Sequence, residues 1–368
     1  MPDLGRQLDR EIRTIRPATF TLADVARRRE RRRRNQRIGA GVVALAIAVL
    51  TIGALLQAFG HVSSRLPAGP ARNGRIAFIS PGLGGPDDRL YTVLPDGRDL
   101  RQLSEVHAEY PSWSPDGSMV AFDDGSIVAY RDWSNAQGHI HIVNADGSGL
   151  RQVTAGQGAE FTPTWSPDGS HLAYTGTGRV GLPPGIFVLD LATGDMRAVT
   201  SNPYAGYLDK EPDYSPDGSR IVFVRDRQLL EAGGSTDREA LFVVNVDGTG
   251  LRRLTPWATA VGTPSWSPDG ATIVFRRGIV GVAPLPLPRI YTIGADGTDM
   301  RPLTDGTNSG SFWPSWSPSG NRIVFTRYAD SNGLFQLYTM DRSGGNIAPL
   351  TPAAGSGQNE AAWGAQVS

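Results

Sequence analysis

The sequence predicts an all-β protein: a six-bladed β-propeller closed by pairing of its N- and C-terminal strands and preceded by a single transmembrane helix. Three observations carry this reading. Gly and Pro supply 45 and 27 of the 368 residues, too many turn formers for a helical bundle. A four-strand unit recurs at a nearly fixed period from residue 74 onward. An uncharged run covers residues 38–60. Hydrophobic residues at 39% exclude a wholly disordered chain. The absence of Cys excludes disulfide scaffolds, thiolate metal sites and Cys nucleophiles.

The zero net charge conceals an asymmetry. Residues 1–37 carry 12 Arg against 5 acids, so the remainder of the chain is acidic. Eight of those arginines crowd residues 27–37, directly before the uncharged run from Ile38 to Gly60. As a helix those 23 residues span ~34 Å, enough for a ~30 Å hydrocarbon layer. The long charged leader and long apolar stretch fit an anchor better than a cleaved signal peptide. The positive-inside bias then puts residues 1–37 in the cytoplasm and the rest of the chain outside it, with Arg27 to Arg37 facing anionic lipid headgroups. Leu4, Leu8, Ile12 and Ile15 form a stripe at near-helical spacing that could lie on the membrane surface or meet a partner, with a solvated tail as the competing expectation. Residues 61–73 read as a linker.

The repeat follows. Pro111-Ser112-Trp113-Ser114-Pro115-Asp116-Gly117 precedes the apolar run Met119 to Phe122. Equivalent units start at Pro163, Pro212, Pro264 and Pro314, with Tyr214 in place of Trp and Ser319 in place of Asp. Ser-Pro-Asp-Gly suits a β-turn, because Pro presets φ at its second position and Gly relieves the exit. The short β-branched and aromatic runs between such turns are strands. Each period supplies strands A (Pro-x-Trp-Ser), B (Ile-Val-Phe type), C (Ile-Tyr type) and D (Leu-Arg-x-Leu-Thr). The aromatic at 113, 165, 214, 266 and 316 returns every 49–52 residues, which is a propeller blade. The repeat begins at strand B (Arg75 to Ile79) and ends at strand A (Ala361 to Trp363), so one blade joins the two ends and removes an open edge.

These Pro-Ser-Trp-Ser-Pro-Asp-Gly units, with Ile-Tyr, Asp-Gly-Ser and Leu-Arg-x-Leu-Thr after them, resemble the WD-like propeller repeats of the TolB type over residues 74–368. The resemblance implies a six-bladed propeller outside the cytoplasm that binds envelope proteins. TolB proteins carry an α/β domain before the propeller, where this chain has its uncharged run. Only the fold and the general idea of protein binding therefore carry over.

Strand alternation puts the short A–B and C–D turns on one face and the variable B–C and D–A loops on the other, where function is expected. Residues entering strand A should rim a central channel there: Glu109, Tyr110, Glu160, Phe161, Asp209, Glu211, Phe312, Trp313 and Glu360. That acidic and aromatic set suits a basic peptide or a cation. The competing expectation is structural: Glu109, Glu160 and Glu211 would pair with Arg225, Arg276 and Arg327. Asn144 to Ser148 looks like a calcium loop but lacks the terminal Glu, and is expected to be a hairpin. His139 and His141 share a strand face, half of a metal site at most. No catalytic motif, metal or cofactor is expected.

The sequence thus points to a non-catalytic, membrane-anchored extracytoplasmic propeller that binds a protein or peptide of the cell envelope. Two alternatives stand beside it: a transmembrane sensor whose basic segment contacts a regulator, and a propeller-type lyase or hydrolase accessory.

Overall fold

The computed structural model describes residues 73–81, 88–125, 138–154, 158–177, 183–200, 207–227, 239–257, 260–278, 287–306, 309–329, 334–350 and 359–366. The expected basic segment 1–37, the span 38–60 and the linker up to residue 72 lie outside them. Among the described residues no helix is long and apolar enough to cross a membrane.

The strands form six antiparallel four-stranded sheets, each read from the centre outward as A, B, C and D. Blade 1 contributes β1 (Asn73–Pro81), β2 (Asp88–Val93) and β3 (Arg101–Gln102). Blade 2 is β4 (Glu109–Trp113), β5 (Met119–Asp123), β6 (Ile140–Asn144) and β7 (Arg151–Gln152). Blade 3 is β8 (Glu160–Trp165), β9 (His171–Gly176), β10 (Gly185–Asp190) and β11 (Met196–Ala198). Blade 4 is β12 (Leu208–Tyr214), β13 (Arg220–Asp226), β14 (Glu239–Asn245) and β15 (Arg252–Arg253). Blade 5 is β16 (Val261–Trp266), β17 (Thr272–Arg277), β18 (Arg289–Gly294) and β19 (Arg301–Pro302). Blade 6 is β20 (Ser311–Trp316), β21 (Arg322–Ala329), β22 (Leu334–Asp341) and β23 (Ala348–Pro349). The last strand, β24 (Asn359–Ala365), completes blade 1: it pairs antiparallel with β1, Trp363 opposite Ile76. The expected closure of the ring by its two ends is therefore present.

Strand B is apolar on consecutive residues because both its faces are buried. Alternation then divides the run between two neighbours. Ile221 and Phe223 pack with Ile186 and Val188 of blade 3, whereas Val222 and Val224 pack with Trp266 and Phe275 of blade 5. At the closure Ile76, Phe78 and Trp363 pack with Val324 and Leu337 of blade 6. In each blade an aromatic of strand B meets a ring of strand C at 5.5–5.9 Å. In blade 2 the strand-C ring is His141, which accounts for its place in a strand.

Both kinds of short turn lie on one face, as expected. Backbone N–H groups of C–D turns donate to carbonyls of A–B turns in the same blade, as from Ala145 to Ser118 and from Val246 to Ser219. The chain between Asn144 and Ser148 is a hairpin turn, with Asp146 accepting the Ser148 N–H at 2.9 Å.

Candidate functional site

Each inner strand carries one extra residue relative to its partner. Glu109 pairs with Asp123, yet Ser112 pairs with Ala121, and the same slip recurs in β8, β12, β16 and β20 and between β1 and β24. This is a β-bulge, tolerant of the proline that follows it in five blades. The bulged residue lies in the left-handed region every time: Tyr110 at φ 49°, Thr162 at 53°, Glu211 at 55°, Thr263 at 49°, Trp313 at 45° and Glu360 at 50°. Such a conformation costs a bulky residue roughly 1–2 kcal/mol. Six repeats of it form a ring at the loop end of the channel.

The bulge leaves backbone N–H groups outside the ladder, and the preceding blade accepts them. Glu360 Oε2 accepts the Tyr110 N–H at 2.7 Å. Asp123 Oδ2 accepts that of Thr162 at 2.9 Å. Thr175 Oγ1 accepts that of Glu211 at 3.0 Å, and Glu211 Oε2 accepts that of Thr263 at 2.5 Å. Two designs occur here. In blades 2 and 3 the strand-B residue, Asp123 or Thr175, makes the clasp, whereas Thr326 at the same place in blade 6 is buried and its hydroxyl makes no hydrogen bond. Where strand B is apolar at the same place, Ile79 or Val224, the bulged glutamate makes it instead. Glu211 and Glu360 are thus clasps between blades as well as residues of the rim.

The inner strands enclose a channel of about 310 Å³. Of the nine residues expected at its mouth, Tyr110, Glu211, Trp313 and Glu360 line it. The other five turn elsewhere. Glu109 meets His107 at 3.3 Å and Glu160 meets His139 at 3.2 Å. Asp209, wholly buried, takes the Arg225 guanidinium on both oxygens at 2.6 and 2.7 Å. Phe161 is buried, and Phe312 belongs to an aromatic cluster with Trp313, Tyr328 and Phe335 at 5.4–6.3 Å. The expected pairing of Glu109, Glu160 and Glu211 with Arg225, Arg276 and Arg327 gives way to these partners. Arg225 goes to Asp209, the Arg276 Nη1 donates to the Gly278 carbonyl at 2.7 Å, and Arg327 faces Asp305 at 3.7 Å. The bulge is the physical reason: the residues before it stay in the ladder, Glu109 opposite Asp123, Phe161 opposite Thr175 and Asp209 opposite Arg225, and the bulged residue is the one that lines the channel.

His139 and His141 do not converge on a metal: His141 Nε2 is 2.8 Å from Asp124, while His139 is on Glu160. Among the described residues no group of three or more metal-ligating side chains assembles. Lys210, the one lysine of the chain, is buried with its Nζ 2.8 Å from Glu239 and 3.5 Å from Asp226.

Among the described residues lining the channel there is no Arg, Lys or His, and three carboxyl side chains are present: Glu211, Asp213 and Glu360. Burial pushes Glu360 well above the usual carboxylate range, and the charges of Glu109, Asp88 and Glu211 add to it despite the Tyr110 N–H. Burial likewise raises Asp123, helped by Glu109 and Glu360 and opposed by the Thr162 N–H. Asp213 was not among the expected residues. It occupies the position held by Ser112, Thr164, Ser265, Ser315 and Ala362 in the other blades, and that singularity is visible in the repeats. Its Oδ2 accepts the Trp266 N–H at 2.7 Å and its Oδ1 accepts the Thr164 hydroxyl at 3.1 Å. What exposure it has is to the narrow channel, and burial pushes its carboxyl up to about 7.

Comparison with known proteins places this geometry. A family model described as the PD40 TolB beta propeller domain matches residues 128–304. The uncharacterized peptidase YuxL of Bacillus subtilis is 26% identical over 197 residues, which cover 46% of this chain and 29% of that protein. The Tol-Pal system protein TolB of Alcanivorax borkumensis is 28% identical over 137 residues, covering 37% of this chain and 31% of the relative. The chain thus spans only about a third of the length of these curated relatives. The crystal structure of TolB from Acinetobacter baumannii superposes with a TM-score of 0.59 at 22% identity, covering 79% of this chain and 66% of that one, a likeness of fold. Repeat match, relatives and architecture agree: the propeller of this chain is of the TolB type.

Proposed function

We propose that this chain is a single-pass membrane protein, N-terminus in the cytoplasm, whose extracytoplasmic propeller holds an envelope protein or peptide at the loop end of its channel without chemistry of its own. The observation that carries the reading is the channel mouth. Tyr110 and Trp313, both held at positive φ, line an opening that holds three carboxyl groups and no basic side chain among the described residues. Backbone strain retained at equivalent positions, with two aromatic side chains lining the cavity, supports the reading of a binding ring. The naming of relatives after the Tol-Pal system supports a protein partner in the envelope. The anchor rests on the 38–60 run and the arginines before it, and those arginines also supply the contact with anionic lipid headgroups.

The test uses the full chain in detergent, recovered from its own host. A partner should co-purify, be identified, and rebind to the purified chain. Trp313→Ala should weaken that rebinding at least ~tenfold, as expected for an aromatic anchor at the centre of an interface, without lowering the melting temperature by more than a few degrees. Substrate turnover by the purified chain with no partner recovered would overturn the proposal. Protease shaving of intact cells reads the topology separately: loss of the propeller with residues 1–37 protected is the expected pattern.

A further inference from the structure

The channel continues below the rim, and its wall is uneven there. Four of the six inner strands present a hydroxyl one residue before the aromatic, at Ser112, Thr164, Ser265 and Ser315; β24 presents Ala362 and β12 presents Asp213. Asp213 is therefore a single carboxylate in a ring of small neutral groups. Its carboxylate accepts the Trp266 backbone N–H, the Thr164 hydroxyl and the Tyr214 backbone N–H, and it lines the channel with further acceptor capacity. Glu211, bulged in the same strand two residues earlier, and Glu360 across the ring stand nearer the mouth. No described Arg, Lys or His lines the cavity to neutralise them. The volume of about 310 Å³ is at the lower limit for a small-ligand pocket, too small for a folded segment and adequate for one extended side chain.

We infer that the channel is a socket for one cationic side chain, a lysine ammonium or arginine guanidinium, which passes the aromatic rim and seats on Asp213. This rests on the reading of the mouth as a binding site and specifies what the bound partner inserts. The rim suits the passage, because Trp and Tyr faces attract a cation. The seat suits the end, because an ion pair out of bulk water is worth more than one at a surface. The carboxyl of Asp213, raised to about 7 by burial, must give up its proton to form that pair. Glu211, Glu360, Tyr110 and Tyr214 also line the channel, and the field of a cation favours the charged form of Glu360, which burial otherwise opposes, as it does that of Asp213.

The probe is n-butylguanidinium, compared with n-butanol, titrated by calorimetry into the full chain in detergent. The expected result is saturable binding of the cation and none of the alcohol. Affinity should be about tenfold higher at pH 8 than at pH 6, the sign set by a carboxyl that is mostly protonated at the lower pH. Asp213→Ser places in blade 4 the residue that blades 2, 5 and 6 already carry there, and Asp213→Asn keeps the shape of the side chain. Either, with melting confirming the fold, should weaken binding at least ~tenfold and remove most of the pH dependence. Equal affinity in the wild type and both variants, or no binding to the wild type, overturns the socket. Partner capture that needs Trp313 but ignores Asp213 would sink this inference and leave the proposed function standing. Binding of the probe with no partner ever held would do the reverse.

Discussion

The two ends of the blades can be compared bond by bond. At the turn face, Ser114, Ser166, Ser215 and Ser267 each donate a hydroxyl to the aspartate two residues on, at 2.5–2.7 Å. Each also accepts the N–H five residues on, at 2.9–3.0 Å. These bonds hold Asp116, Asp168, Asp217 and Asp269 below the usual carboxylate range even where burial opposes them. At the mouth, the N–H groups of four bulged residues meet a glutamate, an aspartate, a threonine and a second glutamate. One end repeats a single local solution; the other satisfies the same requirement with three residue types. The repeated end is scaffold, and the varied end is where individual side chains are free to differ.

The largest expected effect lies at the varied end. Lys210→Ala removes the ammonium from between Glu239 and Asp226, whose side chains are 8% and 0% exposed. Leaving two buried carboxylates without their cation should cost about 3–5 kcal/mol, read as a fall in melting temperature. The pH course gives a second reading. Burial raises the Glu239 carboxyl, but the Lys210 charge and hydrogen bond outweigh it, and the net direction is downward. The stability this pair supplies is therefore present above the unfolded value of about 4 and is lost as pH falls through the lower folded value. Lys210→Ala should flatten that acid limb. By contrast, Asp217→Ala at the turn face should cost only about 1 kcal/mol, since it removes an exposed lock.

A smaller effect tests how uniform the turn face is. Gly97 lies at φ 81°, and a Cβ there would stand 2.4 Å from the Leu350 carbonyl oxygen of the neighbouring blade. Gly344 and Gly248 approach the Leu303 and Val199 carbonyls in the same way, at 2.7 and 2.9 Å. The approach is looser in blade 2, where a Cβ on Gly147 would stand 3.7 Å from the Leu103 carbonyl oxygen, and blade 3 departs furthest: its turn is Ala192-Thr193-Gly194, and a Cβ on Gly194 would meet nothing within 4 Å. Gly97→Ala should cost about 2–4 kcal/mol, from left-handed strain plus overpacking, and Gly194→Ala about 1–2 kcal/mol from strain alone. Equal losses would mean that packing between blades at this face is loose.

The reach of the sequence follows the same division. Blade count, closure and the turn face were legible because their determinants are local: Ser114, Asp116 and Met119 lie within one turn of chain. The mouth was legible only in part. The strands that reach it were foreseen, and Tyr110, Glu211, Trp313 and Glu360 do line the channel. Glu109, Glu160 and Asp209 face other partners because they stay in the ladder ahead of one bulged residue per strand, which alone turns to the channel and has no signature beyond the proline after it. The clasps were illegible, since their partners are 36–250 residues apart. Asp213 could have been found by aligning the repeats and asking which one breaks the rule of a small residue before the aromatic.

The finest test exchanges one clasp design for the other. In blade 4 the acceptor for the Thr263 N–H is Glu211, and strand B is apolar at Val224. In blade 3 the corresponding strand-B residue is Thr175, which accepts the Glu211 N–H, while the bulged residue is Thr162. Glu211→Ala should cost about 1–2 kcal/mol by orphaning one N–H. Val224→Thr alone should cost about 1 kcal/mol, since it buries a hydroxyl beside an already occupied donor. Together they rebuild in blade 4 the arrangement of blade 3, so the double variant should be less destabilised than the sum of the singles by about 1 kcal/mol, measured as a double-mutant cycle in thermal unfolding. Strict additivity would show that the N–H of the bulge is met by water instead. The difference between the two blades would then be packing, and Glu211 would be released from the scaffold to the rim alone.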